Sequence, residues 1–569
     1  MNQRPIQESS NRTRFSALMV ALVTVAGLMA CTRSVQTPSE TYRIVSPTPT
    51  LSSTSPPTDT RLPLPTLSPT PTSTPWPSAT PMPLLVWVEG VSPALFDGAI
   101  GVWSPTSNEL LLTECRGYTM SRVNADALTE TDITPPGFVC FHPASDEPAW
   151  TPDGQSIVFG GPPPDTEGLF YGTQGIWVMK RDGAEPHPIN PDETMIRSLE
   201  FRGWMDDHTL AYRGASGTFQ LAGIIDITTG NHLGPYLIPG GIIHSPNANY
   251  LPATSLPFYR LGVITKTRPS EKQIEIPPRF MPAVPCGTEA VCSSRFEDWQ
   301  PGTNKALVLT FYWEHGNPAP PFSQLVSWDL DTDVVVPIVP DGTRGKFAPD
   351  GLTLAYLTFG PAQLDGEDKP VHRDSDSETD LTPYLQLLSI ETGRVTLSMP
   401  VVVDPPSIYP HGKLYEPKAA LEVLGRDKFY NKYYFFCSPI TAFSSDGKLL
   451  ALLTPGEILL DQDGRPIGVE NGSIPYLHLL NVRTGQILYS APSSPMMPIW
   501  SPNSQKLIYR DEQGDLSILS VSDSHSVPLT RGGGQRASSP QWSHDGTYLS
   551  VSFRENEKDA PKMAIIEAP

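Results

Sequence analysis

The stretch Pro148-Ala149-Trp150-Thr151-Pro152-Asp153-Gly154-Gln155-Ser156-Ile157-Val158-Phe159 decides the fold. Pro152 sets φ for an early turn position, Asp153 can hydrogen-bond its own turn backbone, and Gly154 accepts a positive φ. Such a corner joins two antiparallel strands. In the strand that follows, Ile157 and Phe159 fall on one face and Val158 on the other. Trp150, just before the corner, is large enough to cover a seam between neighbouring sheets.

Variants of this stretch recur along the chain, and recurrence outweighs any single copy. They centre on Trp103, Trp150, Trp204, Trp299, Phe347, Phe443, Trp500 and Trp542, with a weak copy at His244-Ser245-Pro246-Asn247. Successive copies lie about 40 to 57 residues apart, except for about 96 between Phe347 and Phe443. A step near 45 residues matches one four-stranded propeller blade. Each unit also carries a downstream strand ending in a polar turn, such as Ile176 to Gly183 or Leu325 to Thr332, and then a further apolar stretch such as Val334-Val335-Val336. That supplies four strands per unit. The reading is an all-β protein, a β-propeller of eight four-stranded blades within a range of seven to nine.

The Trp-Ser-Pro-Asp-Gly corner with its later strand and Asp-Gly turn resembles the WD40-like repeat of TolB-type β-propellers. The same repeat occurs in propeller domains of prolyl-oligopeptidase-like peptidases. The resemblance covers residues 84–569. It implies protein–protein work within the cell envelope but carries over no partner, because propellers host many unrelated tasks.

Outside the repeats, residues 1–31 read as an export signal. Arg4, Arg12 and Arg14 precede an apolar run from Phe15 to Gly27, too short for a comfortable membrane span. Leu28-Met29-Ala30-Cys31 resembles a bacterial lipobox, which implies acylation of Cys31 and a lipid anchor facing outside the cytoplasm. The alternative is ordinary cleavage and a secreted product. Residues 32–83 read as a disordered Pro/Thr/Ser-rich tether. At about 3.1 Å per residue it would reach on the order of 100 Å or more.

In an oxidising compartment the expected disulfides are Cys286–Cys292 and Cys115–Cys140; two unpaired thiols are the alternative for the second pair. Leu84-Leu85-Val86-Trp87-Val88 reads as the outer strand of the last blade. The C-terminal unit from Trp542 lacks a fourth strand, so this segment would close the ring. An insertion at about 362–437 departs from the repeat. Asp365 to Asp368 and Asp374 to Asp380 read as an acidic solvated loop. Further on, aromatic residues alternate with Lys and Arg, and Tyr430, Tyr433 and Tyr434 are the candidate ligand contacts.

The formal net charge of −20 argues against nucleic acid as a partner. No nucleophile elbow, phosphate-binding glycine loop or metal-ligand spacing is present, and no cofactor or metal is expected. Asp153, Asp350, Asp446 and Asp545 have turn roles that account for them. The expectation is a monomeric binding scaffold for a protein, peptide or glycan of the cell envelope. The alternative is a propeller hydrolase or lyase acting on a wall polymer or saccharide, for which sequence supplies only abundant carboxylates.

Overall fold

The computed structural model describes residues 86–569 apart from internal segments, the longest being 266–289 and 405–437. Cys31, the export signal and the tether therefore lie outside the described residues, as do Cys115, Cys140, Cys286, Tyr430, Tyr433, Tyr434 and the Asp374–Asp380 half of the acidic stretch.

Among the described residues the chain is all β, with eight four-stranded antiparallel sheets. The chain is a β-propeller. We number the sheets one to eight by their innermost strands: Ile100–Trp103, Ala149–Trp150, Leu199–Trp204, Ala290–Trp299, Arg344–Phe347, Thr441–Phe443, Ile499–Trp500 and Ala537–Trp542. Each of these strands ends on the repeat's aromatic residue. The weak copy at 244–247 lies outside the described residues apart from its neighbour, a two-stranded hairpin of Tyr250–Ser255 and Arg260–Thr265 between sheets three and four.

The corner has a physical basis that repeats from sheet to sheet. Gly154 N–H donates to the Thr151 carbonyl, and Gly154 sits at φ 67°. The Thr151 hydroxyl donates to Asp153 Oδ1 at 2.6 Å and accepts the Ser156 N–H at 2.9 Å. Asp153 Oδ1 also accepts the Gln155 N–H at 3.0 Å. Ser444/Asp446 and Ser543/Asp545 repeat this pattern, and Asn503 replaces the aspartate beside Ser501. Neighbouring corners also stack. A Cβ on Gly447 would meet the Asp350 backbone nitrogen at 3.1 Å, and one on Gly154 would meet Thr106 Oγ1 at 2.2 Å. Glycine thus serves both the positive φ and the close approach.

The aromatic residues bind sheet to sheet. Trp150 donates its indole N–H to the Val102 carbonyl, Trp500 to Ala442, Trp542 to Ile499, and Trp103 to Gln541. In every case the acceptor is the residue just before the aromatic of the preceding sheet. Phe347 has no indole. There its backbone N–H donates to Asp298, the residue before Trp299.

The second strand of each unit is buried on both faces because a sheet lies on either side. Leu110 and Leu112 pack against Met563 and Ile565 of sheet eight, while Leu111 packs toward Trp150, Ile157 and Phe159 of sheet two. Likewise Leu450 and Leu452 face sheet five, and Ala451 and Leu453 face sheet seven. Continuous apolar runs, not alternation, follow from such two-sided burial. Each fully buried leucine adds about 1.5–3 kcal/mol relative to exposure.

Ring closure is achieved by an N-terminal strand, but a different one from that expected. Ala94–Asp97 pairs with Lys562–Glu567 and completes sheet eight. Val86–Trp87 instead pairs with Thr530–Arg531, and Trp87 packs edge-on against Phe553 at 5.7 Å. The outermost strand of a blade is half solvated, and Ala94–Asp97 alternates half-buried with exposed. It therefore lacks an apolar run like that of residues 84–88.

The long step between Phe347 and Phe443 is also resolved. Asp365 to Asp368 form the exposed turn of a small hairpin, Gln363–Leu364 with Pro370–Val371, so this half of the acidic stretch is solvated as expected. Asp365 Oδ1 holds that turn by accepting the Glu367 and Lys369 N–H groups. A second excursion leaves at Val403–Asp404 and returns at Ser438–Pro439, which pair with each other.

Candidate binding cavity

A cavity of about 510 Å³ lies along the inner strands of sheets four to seven. Sheet four contributes Glu297 and Asp298. Sheet five contributes Arg344, Gly345 and Lys346 from its first strand and Tyr356 from its second. Sheets six and seven supply an apolar wall that includes Phe443, Met497, Pro498, Ile499 and Trp500.

Sheet four owes its two acids to a β-bulge. Phe296 pairs with Val308 and Asp298 with Leu307, which leaves Glu297 as the extra residue. Consecutive strand residues ordinarily point to opposite faces, and the bulge lets both carboxylates reach one cavity. Glu297 accepts from Arg295 Nε at 2.6 Å and lies 3.6 Å from Arg344 Nη1. Asp298 Oδ2 accepts the Phe347 N–H at 2.8 Å. Burial pushes the Asp298 carboxyl up to about 6, outweighing the opposing Phe347 and Trp299 N–H groups and Lys346.

Arg344 and Lys346 stand two apart and share one face of their strand. Gly345 between them lets that strand sit against sheet four: a Cβ there would meet Leu307 Cδ2 at 2.6 Å and Leu325 Cδ1 at 3.1 Å. Lys346 is exposed and has no hydrogen-bond or ion-pair partner among the described residues. Tyr356 is only 1% exposed, and its hydroxyl has no partner either. Burial, with a smaller contribution from Asp341, raises its phenol well above the usual range, so it keeps its proton.

Sequence reasoning did not single out these cavity residues. A visible signal was the pair Glu297-Asp298 just before Trp299, two adjacent charges where alternation allows one. The aspartates of the corners sit in their turns and are not among the residues lining the cavity. The Thr151 hydroxyl and Gln155 N–H hold the Asp153 carboxyl below the usual range. Cys292 lies in the first strand of sheet four, opposite Tyr312. Among the described residues no group of three His, Cys, Asp or Glu side chains could hold a metal ion.

Fold and cavity together define a β-propeller with a side pocket opening between its inner strands. Solved structures of similar architecture include the C-terminal WD40 domain of Sif2, 11% identical, with 85% of this chain and 100% of that one covered and a TM-score of 0.37. A putative TolB from Agrobacterium tumefaciens is 14% identical, covering 42% of this chain and 80% of its own, at a TM-score of 0.25. Oligogalacturonate lyase in complex with manganese is 12% identical, with coverage of 75% and 98% and a TM-score of 0.36. These likenesses concern the fold alone. No family model matches the chain, and no curated protein does.

Proposed function

We propose that this protein is a lipid-anchored, extracytoplasmic propeller that binds a protein, peptide or glycan of the cell envelope through the cavity on sheets four to seven. The observation that carries the reading is the cavity itself. Its volume falls within the range of ligand sites, and it joins an apolar wall to a few polar groups. Both of its carboxylates are already engaged, Glu297 by guanidinium groups and Asp298 by backbone N–H groups. That arrangement suits recognition better than acid–base chemistry, which needs an acid and a base free to exchange protons.

The anchor at Cys31 and the tether of residues 32–83 rest on their sequence. Tyr430, Tyr433 and Tyr434 remain candidate contacts. Their support is that the excursion carrying them returns through Ser438 and Pro439, which line the cavity.

A photo-crosslinking residue at Met497, 43% exposed at the cavity rim, tests the reading in intact cells. Discrete adducts at Met497, absent from a control at the exposed turn residue Leu128, are expected; equal labelling at both sites would count against it. The hydrolase or lyase alternative is favoured only by the raised carboxyl of Asp298. Wall-polymer cleavage by the wild type that Asp298→Asn abolishes would establish it.

A further inference from the structure

Sheets five and six carry the same addition. Each second strand ends in Thr-x-Gly, with the threonine hydroxyl donating to the glycine carbonyl: Thr358 to Gly360 and Thr454 to Gly456. A hairpin follows in each, and the two share one pattern: Leu364-Asp365-Gly366-Glu367-Asp368-Lys369-Pro370-Val371 and Leu460-Asp461-Gln462-Asp463-Gly464-Arg465-Pro466-Ile467. In both, the leucine pairs with the proline, Leu364 with Pro370 and Leu460 with Pro466. Sheet seven passes from its second to its third strand in the turn 511–515, so the blade itself does not require a hairpin there. Each hairpin lies beside the outer strand of the preceding sheet: Pro370–Val371 beside Val334–Pro340 of sheet four, and Pro466–Val469 beside Val395–Pro400 of sheet five. The two therefore take successive places on the outer rim of the ring.

Each hairpin leaves apolar side chains in solvent. Ile458 and Val469 pack into the core, but Leu459 is exposed and Leu460 is 48% exposed. Leu364, 41% exposed, stands at the matching place in the first hairpin, with Val371 exposed beside it and Val336 exposed on the neighbouring outer strand. Single exposed apolar residues are ordinary, but here the same leucine is exposed in both copies of a duplicated element. Charge narrows what can cover them. Asp365, Glu367 and Asp368 outnumber Lys369 in the first hairpin; Lys369 is paired with Glu367, and Arg394 faces Asp365. The second has Asp461 and Asp463 against Arg465, between Glu457 and Glu470. Like charge opposes a second copy of this chain docking by the same rim, and it opposes an anionic lipid surface. We infer that the paired hairpins are a docking surface for a protein segment that presents apolar side chains flanked by Lys or Arg. None of these residues lines the cavity, so the inference stands apart from whatever the cavity binds.

The test places p-benzoylphenylalanine in turn at Leu364 and at Leu460 of the full chain in intact cells. Tyr118, likewise exposed and at the corresponding connection of sheet one, is the control position. Both hairpin positions should give an adduct with one and the same protein, absent at Tyr118. Mass spectrometry should map the link to apolar residues next to Lys or Arg. Leu364→Ser leaves every charge in place and should lower the adduct yield at Leu460, measured below saturation, about fivefold, the value of burying about half a leucine side chain. Its melting temperature should hold, because the replaced side chain is exposed. Glu367→Gln with Glu470→Gln should lower the yield too, and by more at low ionic strength. Different proteins at the two positions, adducts with a second copy of this chain or with lipid, a link to an acidic segment, equal labelling at Tyr118, a yield untouched by Leu364→Ser, or no adduct at either hairpin would overturn the inference.

Discussion

The indole N–H of Trp103 donates to the Gln541 carbonyl at 3.2 Å and to Ser550 Oγ at 3.0 Å, although 438 positions separate Trp103 from Gln541. The same bond that joins sheet one to sheet two through Trp150 thus joins sheet eight back to sheet one. The ring is closed by the device that builds each of several other seams. Trp103→Phe should therefore lower stability by about 1–2 kcal/mol through the lost hydrogen bonds. Trp87→Phe should cost less, because the Trp87 indole makes no hydrogen bond among the described residues. Thermal melts of the two variants check the difference.

Glycines of the corners should separate into two classes. Gly302 has φ 71° with nothing within 4 Å of a built Cβ, so Gly302→Ala should cost only the left-handed strain, about 1 kcal/mol. Gly154→Ala adds a contact of 2.2 Å with Thr106 Oγ1 and should destabilise further. Urea midpoints for the pair measure this, and equal midpoints would remove the stacked-corner explanation.

Asp298 makes stability fall as pH rises. Its carboxyl titrates near 6 in the fold, above its value of 3.8 when free. Between those two values the folded state holds more protons than the unfolded one, so stability declines with rising pH and is lowest above 6. A shift of this size corresponds to about 3 kcal/mol. Asp298→Asn keeps an acceptor for the Phe347 N–H and removes the buried charge. The variant should match or exceed the wild type in melting temperature at pH 7 and lose the slope between pH 4 and 6.

His478 acts in the opposite sense. It is fully buried in sheet six, with Nε2 2.8 Å from Thr454 Oγ1 and Nδ1 2.8 Å from Ser490 Oγ. Burial lowers it to about 4 from 6.5, so the ring is neutral in the fold. The unfolded chain binds the proton first as pH falls, and the stability supplied by the neutral ring is lost between 6.5 and about 4. His478→Gln should flatten the fall in melting temperature over that window.

Much of the architecture was legible because a local cause repeats. The Ser/Thr-x-Asp-Gly corner dictates its turn wherever it occurs, and the aromatic before it has a job that any copy reveals. Ile157, Val158 and Phe159 divide between faces as strand periodicity requires. The closing strand was misplaced because Ala94–Asp97 is half solvated and its pairing is set by Lys562–Glu567, far along the chain. The cavity was not legible at all. Its residues run from Glu297 to Trp500 and meet only because four inner strands converge. Even then, Glu297 and Asp298 share a cavity only through a bulge, whose register is fixed by the facing strand. Tyr356 read as one more apolar-strand residue, since nothing local reveals that its hydroxyl ends without a partner.

Closure of the ring by Ala94–Asp97 against Lys562–Glu567 is the feature that makes the eight sheets one propeller. Phe96 and Met563 are directly opposed there, and paired strand positions of this kind lie about 4.5–5.5 Å apart. The direct measurement is oxidation of a Phe96→Cys/Met563→Cys variant, followed by protease digestion and mass spectrometry of the linked peptides. An intramolecular 96–563 linkage in nearly all molecules is predicted. Failure of that linkage to form, with a Trp87→Cys/Met563→Cys pair joining instead, would contradict it.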